Sequence, residues 1–245
     1  MNIQGKGNQV TFVFPDREVS CKETTDAKIG RMLERADISV IGNNNSVRLR
    51  FDSETSAEEL LTGGGFLLIV KGDGNSVEIG NVIVRYSTIL GMTGQKLIIG
   101  QLPGLGAGVS RTANGCKVTI GDRVVINGVT LYLQEDNSWV SIGDDSQLSW
   151  GVDVWCTDAH TITDLEGNPV NYAESIEIGR HVWIGKDVKI GKNTRIADNS
   201  IVGWGSIVTK RFDEPNAIIA GIPAKIVKRG VNWDRKCINK FVKGL

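Results

Sequence analysis

The residue best suited to acid–base chemistry is His160, which lies between Asp158 and Asp164. The residues that follow it, 161–171, read TITDLEGNPVN, a polar run rich in turn-forming residues. Histidine titrates near neutral pH, and a neighbouring carboxylate can fix its tautomer. We therefore predict His160 as a general base with Asp158 as its partner. A separation of two residues also fits an Asp158 side chain on the opposite side of a strand.

Three further residues complete the interpretation of this region. Asp164 and Asn171 belong to the same polar run as His160, and we predict that they bind the substrate. The chain has only two histidines. The second, His181, lies inside a regular repeat at a position that should face outward, so we interpret it as a plain surface residue.

The element that must position His160 is a six-residue repeat. One aliphatic residue recurs at this spacing without a break, at Ile178, Ile184, Ile190, Ile196, Val202 and Val208. A β-branched or hydroxyl residue usually stands two positions earlier, and a small residue, most often Gly, stands one position later. An α-helix repeats near 3.6 residues and a strand at 2, whereas a period of six is typical of a parallel β-helix.

The same pattern extends toward the N-terminus with interruptions. Ile142, Leu148 and Val154 keep the phase, and the next inward position in that phase is His160, after which the pattern resumes only at Ile176. A loop should therefore leave the coil beside His160, at about residues 157–175. Looser copies reach back to residue 7, interrupted by a helical insertion at 52–61 and a Gly-rich loop at 101–115.

These observations predict an all-β fold, a parallel β-helix of hexapeptide repeats with inserted loops and a short C-terminal helix. Residues 1–117 would form irregular coils with insertions, and residues 118–211 would form the regular coils with the active-site loop. Residues 212–245 would cap the open end of the stack, because an open end exposes unpaired backbone groups.

The amino-acid composition indicates which binding partners and which cellular compartment to expect. The 245 residues have no net charge, which argues against a nucleic-acid binder. The four cysteines are far apart, which predicts reduced thiols in the cytoplasm, and no apolar run is long enough to predict a transmembrane segment. Residues 210–245 hold nine Lys or Arg against three Asp or Glu, which fits either a solvated tail or an anion site.

Three motifs together resemble those of the hexapeptide-repeat acyltransferases. Residues 175–185, SIEIGRHVWIG, are similar to their IxIGxxVWIG motif, and GWGSIVTK followed by AGIPAK, between residues 203 and 225, is similar to their GxGSxVTK…AGxPAK ending. Residues 157–162, TDAHTI, resemble the active-site loop of the sugar O-acetyltransferases, especially enzymes that acetylate capsular or lipopolysaccharide sugars. The resemblance covers about residues 118–230.

The resemblance implies a left-handed β-helix, an exception to the usual right-handed crossover. It also implies a homotrimer that binds acetyl-CoA between subunits, with His160 as general base and Trp183 lining the acceptor and acetyl pocket. Gly185, Gly203 and Ser206 would lie along the pantetheine arm through backbone amides and close approach. The cationic side chains near the CoA phosphates would be Lys210 and Lys225. One departure is Trp204, which stands where the family has Ala, and which would stack on the adenine or simply cover the surface.

The predicted activity is acetyl-CoA-dependent O-acetylation of a sugar hydroxyl in a surface polysaccharide or its precursor. Two alternatives remain: N-acetylation of an amino sugar nucleotide, and a non-catalytic β-helix scaffold. The zinc-dependent γ-type carbonic anhydrases share the repeat but need three His ligands, and this chain has two histidines. We therefore expect no metal.

Overall fold

The computed structural model describes residues 1–63, 65–84, 95–100 and 112–241. The first twelve strands in chain order are β1 Asn2–Gln4, β2 Gln9–Val13, β3 Glu18–Ser20, β4 Asp37–Ile41, β5 Ser46–Arg50, β6 Phe66–Lys71, β7 Ser76–Ile79, β8 Ile83–Val84, β9 Gln95–Ile99, β10 Lys117–Ile120, β11 Val125–Ile126 and β12 Val129–Leu133. The next twelve are β13 Trp139–Ile142, β14 Gln147–Leu148, β15 Val152–Cys156, β16 Ser175–Ile178, β17 Trp183–Ile184, β18 Lys189–Gly191, β19 Thr194–Ile196, β20 Ile201–Val202, β21 Ile207–Val208, β22 Arg211–Phe212, β23 Ala217–Gly221 and β24 Ala224–Arg229. The helices are α1 Ala27–Arg35 and α2 Glu54–Thr62, with a 3-10 turn at Ile238–Lys240.

The strands stack into three sheets that form the sides of a parallel β-helix. Sheet A has the order β1-β4-β6-β9-β12-β15-β18-β21, and sheet B has the order β22-β19-β16-β13-β10-β7-β5-β2-β3. Sheet C has the order β24-β23-β20-β17-β14-β11-β8. Pairing is parallel except at β2–β3 and β23–β24. The predicted parallel β-helix is confirmed.

The six-residue repeat places its aliphatic residues inside the stack. Ile178, Ile184 and Ile190 lie on β16, β17 and β18, one on each sheet, and each is at most 2% exposed. The next coil repeats the arrangement, because Ile178 pairs in register with Ile196 and Ile184 with Val202. The series thus contributes one apolar residue per side to a continuous core.

The irregular N-terminal repeats are also coils of the same stack. Asn8, Asn45 and Asn75 are buried above one another, and Asn45 Nδ2 donates to Asn8 Oδ1 at 3.0 Å while Asn75 Nδ2 donates to Asn45 Oδ1 at 3.0 Å. These bonds satisfy the buried side-chain amides, whose burial without a hydrogen-bond partner would cost free energy of folding. The insertion predicted at 52–61 is α2, capped by Ser53. Residues 101–111 of the predicted Gly-rich loop lie outside the described residues.

The C-terminal region differs from the predicted helix. Residues 224–229 form β24, which pairs antiparallel with β23 at the edge of sheet C, and the only helical geometry after it in the described chain is the 3-10 turn. Ala224 and Ile226 alternate on the side that packs against the core, and the β-branched pair Ile226 and Val227 favours a strand here. The coils also continue past Arg211, since β22 and β23 pair with β19 and β20. No helix among the described residues is long and apolar enough to cross a lipid bilayer.

The predicted loop leaves the coil after β15 and returns at β16. His160, however, does not occupy an inward position, as the phase predicted, but is exposed. Cys156, two residues after the buried Val154, takes the last inward position of β15 and is fully buried. The chain turns outward after the next residue, Thr157, which is also buried, and this carries His160 onto the surface.

Candidate functional site

His160 lies on the wall of a surface cleft of about 350 Å³. The cleft opens where the loop between β15 and β16 passes the turn between β12 and β13. Its lining residues are Gln134, Glu135, Asp136, Thr157, Ala159, His160, Thr161, Pro169, Asn171, Tyr172 and Ala173. Within the described residues, no hydrogen bond or ion pair engages the His160 imidazole. The ring is therefore accessible to a bound ligand.

Glu135 joins both ends of this loop. Its Oε1 accepts a hydrogen bond from Thr157 Oγ1 at 2.6 Å, and its Oε2 accepts one from the Ala173 amide at 2.9 Å. Thr157 Oγ1 in turn accepts from the Ala159 amide at 2.8 Å, next to His160. One carboxylate of the preceding coil thus fixes the loop at its start and its end.

Asp158 does not contact the His160 imidazole, contrary to the partnership predicted from the sequence. Its carboxylate forms an ion pair with Lys192 and accepts a hydrogen bond from Asn171 Nδ2 at 2.8 Å. The Lys192 ammonium, followed by the Asn171 amide, holds the pKa of Asp158 below its usual value. The physical reason is that the Lys192 ammonium, on the coil after the loop, lies within ion-pair distance of the Asp158 carboxylate.

Asn171 is the hydrogen-bonding centre of the loop. Its Nδ2 donates to the His160 carbonyl at 2.9 Å as well as to Asp158, and its Oδ1 accepts from the Ile162 amide at 2.8 Å. Lys192 Nζ also contacts the Asn171 carbonyl. Because its amide is occupied by these bonds, Asn171 sets the backbone at His160.

Asp164 closes the tip of the loop. Its Oδ1 accepts hydrogen bonds from the amides of Glu166 at 3.1 Å and Asn168 at 2.8 Å. The side chain of Asn168, followed by its backbone amide, lowers the pKa of Asp164. These bonds make the tip a defined turn, and Asp164 is not among the residues that line the cleft around His160.

Trp183 lies on β17, on the outer side of sheet C. Its ring is 5.9 Å from that of Trp233, which stacks on His181 at 4.4 Å between ring centroids. Trp233 Nε1 donates to the His181 carbonyl at 2.8 Å, so His181 is half-buried under the C-terminal segment and is not a plain surface residue. The Trp183 Nε1 atom is buried without a hydrogen-bond partner in the described chain.

The residues predicted to lie along a pantetheine arm are found at the corner where the chain leaves sheet C and turns toward sheet A. A Cβ on Gly185 would lie 2.8 Å from Trp204 Cδ1, so the absence of a side chain there lets the Trp204 ring lie against the corner. Trp204 itself is 75% exposed. This exposure leaves most of its surface available to a ligand.

The backbone amides at this corner have internal partners, unlike the prediction that they would contact pantetheine. The amide of Gly185 donates to the Val202 carbonyl at 2.8 Å, and that of Gly203 donates to the Ile219 carbonyl at 2.9 Å. Ser206 is buried, and its Oγ donates to the Gly203 carbonyl at 2.7 Å. The two amide bonds hold neighbouring coils together, and the Ser206 bond closes the turn within one coil, so this corner offers a ligand close approach at the glycines.

Lys210 and Lys225 are both exposed. Lys210 follows β21 on sheet A, with its ammonium 5.4 Å from the centre of the Phe212 ring, and Lys225 lies on β24 at the edge of sheet C. Neither forms an ion pair within the described residues. Both cations therefore remain able to meet an anionic ligand.

The predicted residues thus form two separate groups in one chain. His160, Asp158, Asp164 and Asn171 belong to the loop between sheets A and B, whereas Trp183 lies on sheet C, and Gly185, Gly203 and Trp204 follow it. The structure adds Glu135, Lys192 and Trp233, which the sequence analysis does not identify. Their partners are 21 to 52 residues away in the sequence. The one signal for Glu135 is its place at a coil corner one turn before the loop.

No cluster of three His, Cys, Asp or Glu side chains that could hold a metal ion occurs among the described residues. Cys21, Cys116, Cys156 and Cys237 are free thiols. Burial raises the pKa of Cys156, which lies directly before the loop, to about 12. A thiol with such a pKa is a poor nucleophile, so Cys156 is not a candidate nucleophile beside this loop.

No protein-family model matches the chain. The polysialic acid O-acetyltransferase of Neisseria meningitidis is 34% identical over 199 residues, which cover 80% of this chain and 88% of that protein. The polysialic acid O-acetyltransferase of Escherichia coli O1:K1 / APEC is 39% identical over 123 residues, which cover 49% of this chain and 39% of that protein. The matched part therefore spans less than half of the Escherichia coli relative.

Two solved structures share the architecture. The polySia specific acetyltransferase NeuO superposes with a TM-score of 0.57 and 24% identity, covering 98% of this chain and 91% of that one. The polysialic acid O-acetyltransferase OatWY superposes with a TM-score of 0.58 and 22% identity, covering 98% and 94%. This likeness shows the fold, a left-handed parallel β-helix, as the motifs predicted. Together with the identity to the Neisseria meningitidis protein over most of both chains, it shows that the chain belongs to the polysialic acid O-acetyltransferase family and is an acyltransferase.

Proposed function

We propose that the protein transfers an acetyl group from acetyl-CoA to a sugar hydroxyl of a surface polysaccharide or its precursor, with His160 as general base. The observation that carries the proposal is the exposed His160 imidazole on the wall of a polar cleft, on a loop held by Glu135 and Asn171. The names of the relatives, polysialic acid O-acetyltransferases, support a carbohydrate acceptor.

The chemistry at His160 is one proton transfer coupled to one acyl transfer. The imidazole takes the proton of the acceptor hydroxyl while its oxygen attacks the thioester carbonyl. The tetrahedral intermediate collapses, the carbon–sulfur bond breaks, and the CoA thiolate takes up the proton that His160 holds. A positioned base of this kind typically contributes about 10²- to 10⁴-fold to the rate.

The acetyl-CoA would lie along the corner that follows sheet C. Trp204 offers an exposed ring for the adenine, and the glycines at 185 and 203 allow a ligand to approach the backbone. Lys225, on β24 of sheet C, and Lys210, at the separate corner after β21 of sheet A, suit phosphate groups as point charges. Trp183, whose indole N–H has no hydrogen-bond partner within the described residues, lies on β17 of sheet C, directly before Gly185.

Because the base and this corner lie on different parts of one chain, we propose a homotrimer with each site between two subunits. The loop around His160 carries exposed apolar side chains that suit a second copy, namely Ile162, Leu165, Val170 and Tyr172. A closed symmetric assembly would bring the loop of one subunit to the corner of the next.

The test of the activity is CoA release with a panel of surface polysaccharides and nucleotide sugars. We expect release with a hydroxyl-bearing glycan, and a product whose acetyl group is removed by alkaline hydroxylamine, as an ester is. A hydroxylamine-resistant product would identify N-acetylation instead. The absence of CoA release with every acceptor would contradict the proposal.

A further inference from the structure

The C-terminal residues 231–236 cross the coil stack at the corner between sheets B and C, and we call this segment the strap. One end is fixed by Val231 and Asn216. The Val231 amide donates to the Asn216 carbonyl at 3.0 Å, and Asn216 Nδ2 donates to the Val231 carbonyl at 3.1 Å. At the other end, Arg235 Nη2 donates to the Asp145 carbonyl at 2.7 Å. The strap is therefore attached to the coils at both of its ends.

Trp233 lies between these two attachments. Its indole stacks on the His181 imidazole, with 4.4 Å between ring centroids and 9° between ring planes. Trp233 Nε1 donates to the His181 carbonyl at 2.8 Å. The Trp233 carbonyl, which can only accept, lies 3.1 Å from His181 Nε2, so this nitrogen carries the donated proton. Stacking and two hydrogen bonds together fix the Trp233 ring against the coil.

The Trp183 indole, by contrast, is oriented by packing. It points outward from sheet C, between its register partners Gln147 on β14 and Ile201 on β20. Its buried Nε1 has no hydrogen-bond partner within the described residues, so no bond of the indole N–H fixes the ring. The aromatic ring that packs against it is that of Trp233, with 5.9 Å between ring centroids and 42° between ring planes.

We infer that Trp233 is a positioning residue for acetyl transfer, which holds the Trp183 indole in place without touching a substrate itself. This inference rests on the proposed function, because the motif resemblance assigns Trp183 to the acceptor and acetyl pocket. A Trp183 ring that is free to turn would misalign the reactants, and small misalignments cost large factors in rate. The contacts that carry the inference all lie within one subunit, so they do not depend on the surface that a second subunit adds.

The chain offers a rescue variant and a matched control. Trp233→Ala removes the ring that packs on Trp183, whereas Trp233→Phe keeps an aromatic ring that can stack on His181. Phe241→Ala removes an aromatic ring from the same C-terminal region, where the side chain is 48% exposed. An effect that comes from the ring of Trp233 should therefore appear in Trp233→Ala alone.

The first measurement needs no turnover. The protein is labelled with 5-fluorotryptophan, and the Trp183 signal in its ¹⁹F NMR spectrum is assigned with Trp183→Phe. We expect one narrow Trp183 line in the wild type, in Trp233→Phe and in Phe241→Ala, and a broadened or split line in Trp233→Ala. A Trp183 line that stays as narrow in Trp233→Ala as in the wild type would overturn the inference.

The second measurement is CoA release with an acceptor that the wild type uses, expressed per acetyl-CoA site counted by calorimetry, which corrects for unfolded protein. We expect Trp233→Ala to lower kcat about tenfold and to leave the KM for acetyl-CoA within about twofold of the wild-type value. Trp233→Phe should restore most of the rate, and Phe241→Ala should match the wild type. A wild-type kcat in Trp233→Ala, or an equal loss in Phe241→Ala, would overturn this inference and leave the acetyl transfer intact. No release by the wild type with any acceptor of the panel would contradict both.

Discussion

The Glu135 carboxylate accepts a hydrogen bond from the Thr157 hydroxyl at 2.6 Å, which links the turn between β12 and β13 to the start of the loop that carries His160. Its second oxygen accepts from the Ala173 amide at the end of the same loop. The proposed base is therefore held from the preceding coil at both ends of its loop. This arrangement makes the position of His160 depend on a residue that does not itself transfer the proton.

Glu135→Ala should lower kcat about ten- to a hundredfold, because a small displacement of a catalytic group is enough for such a loss. The KM for acetyl-CoA should change little, since the residues proposed to bind it lie elsewhere. Steady-state CoA release separates the two constants, and limited proteolysis should show faster cleavage within 157–174.

Glu174→Ala is the matched control for that variant. It removes the same charge from the residue after Ala173, where the side chain is exposed, and it should leave both kcat and proteolysis unchanged. Wild-type activity in Glu135→Ala would show that the loop is not held by this carboxylate.

The ion pair between Asp158 and Lys192 should make stability depend on pH. A carboxyl whose pKa is lower in the folded chain stabilises the fold above its unfolded value, about 3.9, and this contribution is lost as pH falls through the folded value. Asp158→Asn should therefore slightly destabilise the fold at pH 7 and lower its Tm. The loss in the free energy of unfolding should be at most about 1 kcal/mol, since the carboxylate is 39% exposed. The difference from wild type should vanish once pH falls below the lowered pKa of Asp158.

Asp153→Asn provides the comparison for this measurement. Asp153 pairs with Lys189 on the outer side of sheet A and is similarly exposed, at 36%. Its loss should not affect CoA release, whereas Asp158→Asn should reduce it by loosening the loop. An Asp158→Asn protein as active as wild type would contradict the positioning role.

Trp204→Ala should raise the KM for acetyl-CoA about tenfold, because stacking of a base on an aromatic ring is worth about 1–3 kcal/mol. The unfolding midpoint should stay the same, since the side chain is 75% exposed. Trp204→Phe retains an aromatic ring and should restore most of the affinity. If the alanine variant binds acetyl-CoA as wild type does in calorimetry, Trp204 only covers the surface.

A site between subunits predicts complementation. Two inactive proteins, His160→Ala and the triple variant Trp204→Ala/Lys210→Ala/Lys225→Ala, are unfolded together and refolded as mixed trimers. Each site needs an intact loop from one subunit and an intact corner from the next. With random mixing, half of the loops and half of the corners are intact, so about a quarter of the sites should be complete. Each variant refolded alone should stay inactive. No recovery in the mixture, with trimers present by light scattering, would place the whole site within one chain.

The coil architecture could be predicted from the sequence because one residue class recurs at a fixed spacing. Ile178 and its successors are buried as the repeat requires, and the motif resemblance supplied the handedness that periodicity leaves open. The six-residue spacing wrongly predicts that His160 points inward. Cys156 fills the last inward position of the strand, and the chain then turns outward. Where the repeat stops, individual hydrogen bonds determine the conformation of the chain, and these bonds do not recur at a regular spacing in the sequence.

The partners within the site could not be predicted for a related reason. Asp158 is two residues from His160 in sequence but pairs with Lys192 from a later coil. Trp233 reaches back to stack on His181. Stacking places residues of different coils side by side, so sequence distance carries little information about contact across the insertions.

The most direct test of the central claim is the rate of CoA release by His160→Ala with the acceptor that wild type uses. A general base at this position predicts a kcat lower by about 10²- to 10⁴-fold, with an unchanged KM for acetyl-CoA and an unchanged Tm. A His160→Ala protein that turns over at close to the wild-type rate would contradict the account.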